Sequence, residues 1–156
     1  MLRVLVIVGL LLPVSSVAHA VAKNDILKAT SDIQKSIEGT DQLRLRVNRY
    51  CHITITHEPE EALLRVISTH VLSQKYEVPA SEMLYVIRAS VATEGQLLLW
   101  AGDCAPTGER QDDRETMRLS SQIMGIHRSL HNANERFWDL LAEQIAAEER
   151  ITSREQ

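Results

Sequence analysis

The sequence predicts an all-α protein, a small bundle of four to five helices following a cleaved signal segment. Three observations carry that prediction: apolar residues recur at helical spacing, Gly and Pro are scarce, and the few breakers fall between periodic stretches. With 156 residues, 44% hydrophobic and 24% charged, the chain is long enough for one modest domain. We place residues 1–20 in the leader and 21–156 in a single helical domain.

The leader comes first. Arg3 is followed by the apolar run Val4 to Leu12, then Pro13, Ser15 and Ser16, and Ala18-His19-Ala20 sets small residues where a signal peptidase cuts. The apolar core is about half of the roughly 20 residues a membrane-spanning helix needs. An exported chain without stable membrane insertion is therefore expected, in the bacterial periplasm or outside the cell.

The next stretch carries Ile26, Ala29, Ile33 and Ile37 at steps of three and four, with Asn24 or Asp25 as cap and Gly39 as its expected end. Residues 43–56 are ambiguous. Leu43, Leu45 and Val47, and further on Ile53 and Ile55, alternate with polar residues as in a strand, yet Leu43, Val47, Tyr50 and Cys51 share a helical stripe, and the helical surroundings favour the helix.

Pro59 among Glu58, Glu60 and Glu61 is suited to a first helical turn, and Leu63, Val66, Ile67, His70 and Val71 predict a further helix. Another begins near Ser81 and runs through Met83, Leu84, Ile87, Val91, Leu98 and Trp100 to Gly102, the expected left-handed cap. Trp100, beside the second cysteine, is expected to be structural.

Residues 105–111, with Pro106 and Gly108, form the clearest loop. Beyond it Ile123, Ile126, Leu130, Ala133, Phe137 and Leu140 make a seam of alternating three- and four-residue steps, as in a bundle. An unbroken helix from Asp112 to Glu149 would run about 57 Å, against a radius of gyration near 14 Å for a compact domain of this size. A bend at Gly125 or residues 132–134, or a protruding or frayed tail over residues 142–156, is expected.

Two cysteines entering an oxidising compartment are expected to pair, Cys51 with Cys104. They are too distant for a C-x-x-C redox motif, and no haem-attachment motif occurs. The net charge of −4 becomes one unit more negative without Arg3, which disfavours nucleic acid as a partner. Arg44, Arg46 and Arg49 are the local basic cluster and a candidate site for an acidic partner.

His127, His131 and Glu135 stand four residues apart, so one helix face presents two imidazoles and a carboxylate, the sharpest chemical suggestion in the chain. A divalent metal there is the alternative reading; a solvated helix flank is the simpler one, and no cofactor is predicted. Trp138 continues the same flank. Core packing is the simpler reading for it, and an anchor for a protein partner is the functional one.

The sequence contains no G-x-S-x-G elbow, H-E-x-x-H helix, P-loop or dinucleotide fingerprint. The expectation is an exported, non-enzymatic protein-binding module, such as an inhibitor, an immunity protein or an accessory subunit of an envelope assembly. The alternative is a metal- or small-molecule-binding bundle using the His127/His131/Glu135 face.

Overall fold

The computed structural model describes residues 21–51, 77–105 and 113–155, and these are 92% helical. Three helices, rather than the expected four or five, occur among the described residues: α1 (Lys23–Tyr50), α2 (Ala80–Asp103) and α3 (Asp113–Glu155). The helix expected around residues 59–74 and most of the loop at 105–111 lie outside the described residues, as does the leader.

Gly39 does not end α1. The helix runs through it to Tyr50, 28 residues in all, so residues 43–50 of the segment left open between helix and strand are the end of one helix, while residues 52–56 lie outside the described residues. The reason lies in three hydroxyls that extend the apolar stripe. Thr30, Ser36 and Thr40 are buried and bond back to the carbonyls of Ile26, Asp32 and Ser36, so polar residue types occupy inward positions without orphaning a donor. A Cβ at Gly39 would meet Ile126 Cδ1 at 3.5 Å, so α3 packs close to this turn. The helix start also differs from expectation, since Ala22 rather than Asn24 or Asp25 holds the capping position, without a side-chain bond.

α2 spans 24 residues from Ala80, with Pro79 ahead of its first turn, and Gly102 lies inside the helix instead of capping it. α3 is a single helix of 43 residues, which at 1.5 Å per residue extends ~64 Å. Neither Gly125 nor residues 132–134 interrupts it. Its length is accommodated because both other helices pack along it. Leu141, Gln144 and Ala147 remain buried, and exposure is continuous only from Glu149 onward.

Two pairs of contacts set the directions. Arg46 meets Glu115 while Val21 N donates to Gln144 Oε1, so α1 runs antiparallel to α3. Glu94 meets His131 while Ala80 N donates to Glu148 Oε1, so α2 does the same. α1 and α2 are therefore parallel, and their C-terminal ends meet. Cys51 and Cys104 form a disulfide there, with Cα atoms 5.1 Å apart.

The core fills the space between the three helices with Ile26, Ile33, Val47, Met83, Leu97 and Trp100, closed by Leu119, Ile123, Leu130, Phe137 and Leu141 from α3. The expected α3 seam is present in altered form: Ile123, Leu130 and Phe137 are fully buried, whereas Ile126, Ala133 and Leu140 are partly buried at its edge. Thr116, Asn134 and Gln144 take inward positions instead.

Candidate functional site

The outer side of α2 is built from residues that a solvated helix does not ordinarily carry. Glu82, Arg88, Glu94 and Asp103 are the charged residues along its whole length. Leu84, Val91 and Leu98 recur every seventh residue and are about half exposed, at 47%, 46% and 52%. Tyr85 and Leu99 widen the strip to the side. A helix that is apolar on nearly every face is normally buried on every face.

α3 offers a matching line. Met117, Met124, His131, Trp138 and Ile145 also recur every seventh residue, all exposed. The two lines meet in an open groove of about 500 Å³, lined by Leu84, Ile87, Arg88, Val91, Ala92 and Trp138. The expectation that Trp138 belongs to the core is thus corrected. Phe137, its neighbour, faces the core with no exposure, and the turn of the helix leaves the indole 48% exposed beside α2.

One turn along the same α2–α3 seam lies a polar network. The Ser90 hydroxyl donates to Asn134 Oδ1, and Asn134 Nδ2 donates to Glu94 Oε2 at 2.7 Å. Glu94 Oε1 in turn stands 2.7 Å from His131 Nδ1 and 3.5 Å from His127 Nε2, and the two imidazoles stack with centroids 6.1 Å apart. His131 Nε2 reaches Glu135 Oε1 at 3.1 Å. The hydrogen bond that the ring N–H donates to Glu94, then the charge of Glu94, and to a lesser extent Glu135, raise the His131 pKa, and burial opposes them with an effect smaller than either from Glu94.

The structure thus joins His127 and His131 through Glu94, a residue the sequence pattern did not single out. Glu135 approaches His131 from the nitrogen opposite to the one facing Glu94. Among the described residues no group of three or more His, Cys, Asp or Glu is arranged to hold a metal ion. The local chemistry is that of an ion-paired clasp between α2 and α3. The one signal of Glu94 in the sequence is an acid four residues after Ser90 in a helix with three other charged residues.

The arginine cluster divides among separate tasks. Arg44 is drawn inward with its guanidinium 5.8 Å from the Trp100 ring centroid, and also meets Asp41 at 3.4 Å. Arg46 reaches Glu115 at 2.6 Å and Gln122 at 3.1 Å, which holds α1 to α3 and lowers the Glu115 pKa. Arg49 lies over the Tyr50 ring at 5.4 Å. Trp100 is fully buried, as its position beside the disulfide led us to expect.

A second open groove, of about 610 Å³, runs between α1 and α3 past Ser36, Ser129 and the Asp32–Arg136 pair. Its lining mixes Ile126 and Ala133 with Lys35, Ser129 and Asn132, and Asp32 and Arg136 face each other across it at 3.8 Å. None of the described helices is long and apolar enough to cross a membrane. The chain matches no protein-family model, no curated protein and no solved structure. Fold and face together define an all-helical protein with one disulfide and an exposed apolar groove.

Proposed function

We propose that the protein is an exported, non-enzymatic helical module that binds a protein partner through the α2–α3 groove, as an inhibitor, an immunity protein or an accessory subunit of an envelope assembly does. The observation that carries this reading is the groove itself: Leu84 and Val91, seven residues apart on α2, stand beside Trp138 of α3, and all three are about half exposed. That spacing suits the apolar stripe of an amphipathic helix laid lengthwise. Trp138 and Val91 supply the contact area, while Arg88 adds a charge that favours an acidic residue on the partner.

Export is supported by the apolar leader at residues 1–20 and by the disulfide, a bond that persists in oxidising compartments. The test is crosslinked capture by the processed chain, comparing wild type with Trp138→Ala and Val91→Lys. A specific partner retained by wild type and lost from both variants supports the reading. Capture indifferent to both substitutions contradicts it.

A further inference from the structure

We propose that removal of the leader creates a charged chain end at Val21, and that its α-ammonium is seated by Gln144 and Glu148 where the starts of α1 and α2 meet α3. This rests on the reading of residues 1–20 as a cleaved leader and adds what the new end of the chain does.

The argument begins with the burial of Val21. It follows the Ala18-His19-Ala20 cleavage pattern directly, and the first residue of a domain is ordinarily exposed and loose unless something ties it down. Val21 is instead 7% exposed and joins the core. Its backbone nitrogen donates to Gln144 Oε1 at 3.1 Å, across 123 residues of sequence. Gln144 is itself 3% exposed, so the oxygen of a buried amide on α3 is committed to this one nitrogen.

The other end of the same amide leads to a carboxylate. Gln144 Nε2 donates to Glu148 Oε1 at 3.4 Å, and that oxygen also accepts from Ala80 N at 2.9 Å. The chain of bonds from Val21 through Gln144 and Glu148 to Ala80 thus ties the starts of both parallel helices to α3. Each start carries the partial positive charge of a helix N-terminus, and Glu148 is the acid bonded into the place where they meet.

Hydrolysis of the Ala20–Val21 bond by the export peptidase adds one water, leaving a carboxylate on Ala20 and an amine on Val21 that takes up a proton below about pH 8. The donor to Gln144 then changes from a neutral amide to an ammonium, and charge-assisted bonds are roughly twice as strong. Two helix N-termini would repel an unpaired cation, and Glu148 offsets them. The charged groups on the neighbouring turns are Lys23 and Asp25 on α1, Glu77 and Glu82 at the start of α2, and Glu143, Glu149 and Arg150 on α3, an acidic surrounding on balance. Because Val21 is buried once it is docked, cleavage precedes docking, and this end of the bundle completes its packing on the processed chain.

The experiment uses the full chain recovered from cells that export it. Intact mass and N-terminal sequencing should give a chain beginning at Val21. Its α-amino group is then titrated by trace acetylation with acetic anhydride over a pH series, read on the N-terminal peptide by mass spectrometry. A free α-amino group titrates at about 7.7–8.0. Burial alone would lower that value, so a shift upward of about half a unit or more reports the carboxylate. Glu148→Gln keeps an acceptor for Ala80 N and Gln144 Nε2 but removes the charge, and should return the titration to the free value or below. Insertion of one glycine between Ala20 and Val21 keeps the amide bond to Gln144 and moves the charge one residue away, and should do the same.

A Val21 amine that titrates alike in wild type and Glu148→Gln refutes the seat and leaves the leader reading standing. An uncleaved chain, or one that begins at another residue, overturns the seat and the cleavage position together. Neither result touches the α2–α3 groove, whose reading stands or falls on partner capture.

Discussion

Replacing Cys51 and Cys104 together by alanine removes the bond between the C-terminal ends of the two parallel helices. The cysteines are 53 residues apart in sequence and both are buried. Releasing a loop of that length returns about 4 kcal/mol of conformational entropy to the unfolded chain. Against a typical stability of ~5–15 kcal/mol this is a large share, and at about 4 °C per kcal/mol for a domain of this size the melting midpoint should fall by roughly 15 °C.

The assay is thermal and urea unfolding followed by far-ultraviolet circular dichroism, with reduced wild type as an independent route to the same open chain. The two should agree, and the urea slope should rise because an uncrosslinked denatured chain exposes more surface. A loss below about 1 kcal/mol would refute the reasoning, since the ends of α1 and α2 would then be held by packing alone.

Three further outcomes follow from the helices. Gly39→Ala should stabilise the protein by about 0.5–1 kcal/mol, because the position is mid-helix and its new methyl meets Ile126 at an ordinary contact distance; a destabilised variant would show that α3 cannot accept it. Phe137→Ala, at a fully buried position on α3, should cost about 3–5 kcal/mol, and a loss under about 1 kcal/mol would contradict its place in the core. His131 is held by Glu94 and Glu135 with a raised pKa, so its stabilising effect is full below the unfolded value of about 6.5 and disappears as pH rises through the raised folded value. The stability gap between wild type and His131→Gln should therefore narrow as pH rises above about 6.5, and a flat gap would contradict the clasp.

Periodicity made the helices legible where apolar residues mark each turn of the inward face, as with Ile26, Ala29, Ile33 and Ile37. It failed at Gly39 because Ser36 and Thr40 carry the stripe across the glycine with hydroxyls satisfied inside the helix. The disulfide was readable because two cysteines allow one pairing. The groove was not, since exposed Leu84, Val91 and Leu98 have the same spacing as core residues, and only the position of α3 decides which face is covered. Glu94 was hidden for a related reason: its partners lie about forty residues away, on a helix whose register no local pattern sets.

The arginines show the opposite case. Arg44, Arg46 and Arg49 are neighbours in sequence, but the two-residue step sets Arg44 on the side of α1 away from Arg46, and Arg46 and Arg49, three residues apart on one side, engage different groups. One covers Trp100, one holds α3, and one lies on Tyr50. Proximity along the chain did not make a patch.

The central claim is that the α2–α3 groove is a protein-binding face, and site-specific photocrosslinking in cells that export the chain tests it most directly. Probes would stand at Val91, at Trp138 and, as a control, at Lys28 on α1. The account predicts one discrete polypeptide adduct from positions 91 and 138 and none from 28. No adduct, or the same adducts from all three positions, would contradict it.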